Sequence, residues 1–153
     1  MHDWRNFDLS LIKEISFQIR VWIVSIENDC FIDLINLENL KFISASINKI
    51  NPNSFAHISQ LKVLFFGRND MEHIDTDGFK GLNNLEDLWL QKNLMTKIKS
   101  NSFQHLNKLK RLSLGGNQIR EIESNGFQDM DNLQELWLNR NRLKRIESNS
   151  FNI

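Results

Sequence analysis

One cysteine, one proline and no tyrosine occur in the 153 residues, and each shortage removes a possibility. With Cys30 alone, no intrachain disulfide can form and no cysteine metal cluster can be built. With Pro52 as the single proline and only 6 glycines, no stretch reads as a flexible linker, so no internal domain boundary is expected. No apolar run approaches the roughly 18 residues of a membrane span. The first residues, Met1-His2-Asp3-Trp4-Arg5-Asn6, are polar and no apolar h-region follows them, so no signal peptide is visible. Asn-x-Ser/Thr acceptor sites are absent as well. Charge of one sign is also missing. Residues 1–84 carry 8 Lys/Arg against 11 Asp/Glu, and residues 85–153 carry 11 against 8. So small a swing gives no reason to expect nucleic acid. The most basic stretch, Leu138 to Arg145, is broken by apolar residues and reads as a solvated rim, with an acidic partner as the alternative.

What is present is a repeat. One pattern begins at Leu37, Leu61, Leu85, Leu109 and Leu133, a constant step of 24 residues. Apolar residues fall at repeat positions 1, 4, 6, 11, 14, 19 and 22, which in one copy are Leu85, Leu88, Leu90, Met95, Ile98, Phe103 and Leu106. Alternation such as Leu88-Trp89-Leu90-Gln91 is the period of a half-buried strand. Successive copies then stack as parallel strands about 4.8 Å apart, with leucines inward and the residues between them outward. One copy cannot bury its own leucines, so stability comes from its neighbours.

Position 9 is Asn69, Asn93, Asn117 and Asn141, with Ala45 the exception. An amide carries both a donor and an acceptor, and the end of a strand leaves backbone groups needing both. The four asparagines are therefore expected to form a buried structural ladder, weakened at the repeat that starts with Leu37. Positions 16 to 18 are rich in Ser, Asn, Asp and Gly, as turns require. The phenylalanines Phe55, Phe79, Phe103, Phe127 and Phe151 at position 19 should stack beneath those turns. Cys30 falls at position 18, where other copies carry Ser or Gly, and reads as a small residue in a tight place.

Both ends depart from the pattern. Residues 1–36 read as a degenerate repeat or N-terminal cap, and 37–153 as five 24-residue repeats with the last incomplete. The front of the first segment, Ile12, Ile15 and Phe17, runs one residue early. Alternation from Ile15 to Ile23 predicts a strand there. The chain stops at Ile153, before the apolar residue of position 22, so a fragment of a longer protein is expected.

The copies, with Leu85-Glu86-Asp87-Leu88-Trp89-Leu90-Gln91-Lys92-Asn93 as their fullest front, closely resemble the typical 24-residue leucine-rich repeats of animal proteins. Their wording is similar to that of insect members. Phenylalanine at position 19 marks this subclass. The resemblance covers 37–153 closely and 12–36 loosely. It implies an α/β leucine-rich-repeat solenoid, a curved right-handed arc with a concave parallel β-sheet and a convex side of turns or short helices. It further implies a non-enzymatic recognition or adhesion module, part of an extracellular or receptor ectodomain protein, that binds a protein or glycan ligand. Cysteine-rich flanking caps, common in that family, are missing here. An intracellular leucine-rich-repeat scaffold is the alternative.

Catalytic patterns are not found, and no cofactor or metal is expected. Of the histidines His2, His57, His73 and His105, two share position 21, but their backbones lie about 10 Å apart, too far to share a metal. Gly115-Gly116 falls at positions 7 and 8, which reads as a bare patch of sheet. The expected partner-binding surface is concave: Phe65, Trp89 and Trp137 at position 5, Arg68, Lys92 and Arg140 at position 8, and Asp87, Arg111 and Glu135 at position 3. Strand propensity alone can place tryptophan in a sheet. Exposed aromatics beside arginine are also the material of binding hot spots. Gly67, Ser113, Gly115 and Gly116 are expected to leave room between the aromatic anchors.

Overall fold

The 24-residue period becomes a single parallel sheet in the computed structural model, which describes residues 8–18 and 25–151. Six strands form it: β1 (Glu14–Gln18), β3 (Asn39–Ile43), β5 (Val63–Phe65), β6 (Asp87–Trp89), β8 (Arg111–Ser113) and β10 (Glu135–Trp137), paired in that order. Leu40, Leu64, Leu88, Leu112 and Leu136 face one another across it in register. The pairing of β1 with β3 instead sets Ile15 against Leu40, a step of 25, which is the early register of the first segment. Strand is found up to Gln18; the rest of the stretch expected to Ile23 lies outside the described residues, as do His2 and Ile153.

On the return path lie five two-residue strands, β2 (Ser25–Ile26), β4 (Lys49–Ile50), β7 (Lys97–Ile98), β9 (Glu121–Ile122) and β11 (Arg145–Ile146). The remainder of the convex side is turn, and the one short helix described is a 3₁₀ turn at Leu9–Leu11. Turns rather than short helices therefore close the repeats. Asn53, Asn101, Asn125 and Asn149 at position 17 all adopt positive φ, near 60°. Asparagine tolerates that left-handed backbone better than most residues.

The core fills the space between sheet and turns. Leu61, Leu64, Leu85, Leu88, Leu109 and Leu112 have no exposed surface. Phe31, Phe55, Phe79, Phe103, Phe127 and Phe151 stack ring on ring, with centroids 5.0 to 6.5 Å apart. A second, shorter aromatic column, Phe17, Phe42 and Phe66, lies under the sheet with centroids 4.9 and 5.0 Å apart. Stacked rings at these separations add about 0.5–1.5 kcal/mol per pair beyond the area they bury.

Each asparagine side chain at position 9 serves the turn before it. Asn93 Oδ1 accepts Met71 N–H at 3.1 Å, and its Nδ2 donates to Phe66 O at 2.9 Å and Leu90 O at 3.0 Å. Asn117 and Asn141 repeat the pattern one and two turns on. Asn69 reaches back to accept both Ala45 N–H and Ile47 N–H, at 3.0 and 3.2 Å. The repeat that starts with Leu37 is thus served by Asn69, and by the same pattern the place that Ala45 leaves empty belongs to the turn before it, part of which lies outside the described residues. Cys30 is exposed rather than confined, unlike the buried Ser54, Gly78, Ser102, Gly126 and Ser150 of its column.

Candidate functional site

Outward-facing residues of the six-stranded sheet build the candidate surface, since the pleat sends every second side chain away from the core. Cα pairing sets Lys41, Phe65, Trp89, Ser113 and Trp137 side by side, the whole of position 5. Phe65 and Trp89 stack with centroids 6.5 Å apart. Trp89 and Trp137 stack at 5.4 Å with their planes 21° apart, although a whole repeat separates their strands. Only the small side chain of Ser113 lies between, so the indoles lean together above it. The anchors narrow the expected gap at Ser113, and the room between them opens beside the indoles, over Gly115 and Gly116.

Position 3 is organised by charge. Asp87 is buried, and both its oxygens are taken by Arg111, through Nε–Oδ1 and through Nη2–Oδ2 at 2.5 Å. The Asp87 carboxylate holds the Arg111 guanidinium firmly protonated, with Glu135 adding a weaker pull. Asp87 therefore presents almost nothing to a partner, contrary to its place among the expected contact residues. It aims Arg111, which stays about half exposed, while Glu135 on the next strand is exposed.

At position 8 the strand ends in a left-handed turn. Ser44, Arg68, Lys92, Gly116 and Arg140 all have φ between 56° and 68°. Arg68, Lys92 and Arg140 are exposed there, and none has an ion-pair partner among the described residues. Basic side chains are not selected by a left-handed backbone, which favours glycine or asparagine.

One repeat is stripped of bulk across this face. Ser113, Gly115 and Gly116 follow one another on it, and a hollow of about 280 Å³ lies above them. The wall before it comes from Trp89, Gln91 and Lys92; the wall after it comes from Trp137, Asn139 and Arg140. A Cβ placed on Gly115 would meet the Asn139 amide first, with Oδ1 at 2.8 Å, so that amide leans into the space. Gln91 Oε1 is buried on the other wall without a hydrogen-bond partner. The bare patch was legible at Gly115-Gly116. Gln91 and Asn139 were not singled out, although their shared position 7 was the available signal.

Elsewhere the surface is knitted by ladders of opposite charge. Lys62 and Lys13 hold the Glu38 carboxyl below its ordinary range; Lys110 does the same for Glu86, and Lys97 with the Ser100 amide for Glu123. On the convex side His57 Nε2 lies 2.7 Å from Asp29, and His105 Nε2 lies 3.2 Å from Asp77. Each histidine of position 21 thus takes the acid of position 17 one repeat earlier. They are paired with aspartates and not with each other, and among the described residues no cluster of three metal-ligating side chains forms. Nor is any described helix long and apolar enough to cross a membrane.

A family model described as leucine rich repeat matches residues 59–119 and 108–152. No curated protein matches the chain. Solved structures do. The chain is similar to one in the crystal structure of a TLR13–ssRNA13 complex, at TM-score 0.80 and 27% identity, over 91% of this chain and 20% of that one. It is similar to a chain of the LRIM1/APL1C complex, at TM-score 0.75 and 25% identity over 81% of this chain and 23% of that one. A chain of the Toll–Spatzle complex, described as a molecular hub in Drosophila development and innate immunity, is matched at TM-score 0.72 and 26% identity. There the coverage is 82% of this chain and 17% of the other.

Proposed function

Because the chain belongs to the leucine-rich repeat family, of the 24-residue type found in animals, we propose that it is a non-enzymatic recognition module that binds a protein partner on its sheet face. It spans 20%, 23% and 17% of the structures it resembles, so what those whole proteins do reaches this chain only as part of the proposal. One observation carries the reading. Phe65, Trp89 and Trp137 form a stacked, half-exposed aromatic row beside unpaired cations, on a face with no core to fill. Preordered aromatic area binds with little further loss of entropy. Flanking charges of both signs, Arg111 and Arg140 against Glu135, fix the orientation of a partner.

On the same reading, residues 1–36 are a degenerate capping repeat and 37–153 five repeats, and the protein works outside the cell or at its surface. Two of the similar structures are complexes between proteins. The third holds ssRNA13, which makes an oligonucleotide the necessary competitor in any binding assay. An intracellular scaffold using the same face is the alternative, and fractionation of cells expressing the complete gene product separates the two.

The test of the face is a capture experiment with the chain as bait, followed by binding curves for the partner recovered. Trp89→Ala and Trp137→Ala should each weaken binding by about 2 kcal/mol or more. Lys80→Ala and Lys99→Ala, on the convex side, should leave affinity unchanged. Loss through the convex pair with the tryptophan pair silent would move the site to the other face.

A further inference from the structure

The hollow over Ser113, Gly115 and Gly116 is lined by two cations, Lys92 and Arg140, and by no acid. Both cations stand at position 8, on either side of Gly116, so the missing side chain leaves them facing one space. Lys92 leans over it, its Cγ 3.4 Å from where a Gly116 Cβ would lie. Neither Lys92 nor Arg140 has an ion-pair partner among the described residues, and the same holds for Arg120, Arg142 and Lys144 at positions 12, 10 and 12 beyond them. Backbone bonds from Lys144 N–H to Arg120 O and from Arg142 N–H to Ile119 O place those three along the same strand-exit edge. The unpaired acids of these repeats, Asp129, Asp131 and Glu135, sit at positions 21, 23 and 3, where the chain enters the strand. The unpaired cations nearest the hollow are thus set apart from the unpaired acids of the same repeats. Two unpaired cations line the hollow, each beside an indole, and three more lie beyond it along the strand-exit edge.

Resting on the sheet-face reading above, we infer that this hollow is a receptor for an acidic, extended segment of the partner protein. A carboxylate between Lys92 and Arg140 makes charge-assisted hydrogen bonds with both. The neighbouring apolar side chain covers the Trp89–Trp137 stack. A backbone N–H of the segment then meets Gln91 Oε1, once that amide rotates toward the space. The remaining cations, Arg120, Arg142 and Lys144, receive further acidic residues, which makes the contact salt-dependent. A nucleic acid would also stack its bases on the indoles, so an oligonucleotide is the competing occupant that the test must separate from the peptide.

The probe is a short fluorescein-labelled peptide of alternating glutamate and phenylalanine, read by anisotropy against the whole chain, with its glutamine counterpart and an oligouridine as further arms. The glutamate peptide should bind at least about tenfold more tightly than the glutamine peptide, and Lys92→Gln and Arg140→Gln should each remove about tenfold. Lys80→Gln, an equal loss of charge on the convex side, should change nothing. Circular dichroism melts confirm that each variant is folded. Equal affinity for the two peptides, or equal effects of Lys80→Gln and Lys92→Gln, would overturn the inference. So would tighter binding of oligouridine through the same two cations. If Trp89→Ala abolishes peptide binding while both cation variants are silent, the sheet-face reading stands and this inference falls. If none of the three variants matters, both fall.

Discussion

The indoles of Trp89 and Trp137 stack at 5.4 Å across a repeat that contributes only Ser113 between them. Backbones two strands apart are separated by about 10 Å, so the contact exists only because both side chains lean inward. Such a pair is worth about 0.5–1.5 kcal/mol beyond burial. Each single change to alanine should therefore cost a modest amount of stability, and the double change less than their sum. A double-mutant cycle from urea midpoints measures this. Strict additivity would mean that the rings do not touch in solution.

The core rests on the leucine lattice. Leu88 has no exposed surface, and Leu88→Ala should lower stability by about 2–5 kcal/mol. Lys80, exposed on the convex side, should tolerate alanine within about 0.5 kcal/mol. Lys97 is a poorer control than its polarity implies, because its Nζ lies 2.7 Å from Glu123. Denaturant midpoints of Leu88→Ala and Lys80→Ala that coincide would show the register to be wrong.

Asn69→Ala should prove costlier than Asn141→Ala. Asn69 is buried and accepts two backbone N–H groups, while Asn141 is half-buried and accepts one. Leaving buried amides unpaired costs about 1–3 kcal/mol, and Asn141→Ala lets water into the vacated place. Thermal melts of the two variants, beside Asn93→Ala, rank them. A silent Asn69→Ala would remove the structural role argued for the column.

Most of the fold was legible because a fixed period leaves little else for the leucines, phenylalanines and asparagines to do. The early register of Ile15 and Phe17 was legible too, as a shift of one residue. What could not be read was any contact made by leaning side chains. Asp87 looked like a surface charge by its column, yet Arg111 covers it. Trp89 and Trp137 looked separate by their backbone spacing, yet they meet. The direction of the asparagine ladder was hidden as well, since Asn69 serves the repeat before its own, which moves the place left empty by Ala45 out of the Leu37 repeat. Spacing tells which face a residue occupies; it does not tell what crosses between repeats.

Acid should loosen the solenoid before base does. Glu38, Glu86 and Glu123 have carboxyl groups held below their ordinary value of 4.5 by lysine partners. The unfolded chain then binds more protons than the folded one, so stability rises with pH through that range. Their contribution is fully present above about 4.5 and fades as pH falls through the lowered folded values. Being partly exposed, the pairs are screened by salt, and the effect per pair is small. Melting temperatures measured from neutral to strongly acidic pH should fall less steeply for Glu123→Gln than for the unaltered chain. An identical acid slope would remove Glu123 from the account.

The hollow can be filled without touching the core, which separates binding from folding. Gly115 does not use the left-handed backbone that requires glycine, and the atoms nearest a Cβ there belong to the movable end of Asn139. Gly115→Leu should therefore displace the Asn139 amide and occupy the space above Ser113, at a stability cost within about 1 kcal/mol. If a partner inserts between Trp89, Lys92, Trp137 and Arg140, the added side chain should reduce its affinity at least about tenfold, the scale of one well-placed contact. Gly78 offers the contrast: it is buried under the convex turn, where a Cβ would press on Asp75 O at 3.1 Å. Gly78→Ala should lower the melting temperature and leave the affinity of the folded fraction unchanged. Calorimetry of both variants, with and without partner, gives the two readouts separately. A Gly115→Leu protein that melts normally and binds normally would show that nothing enters the hollow.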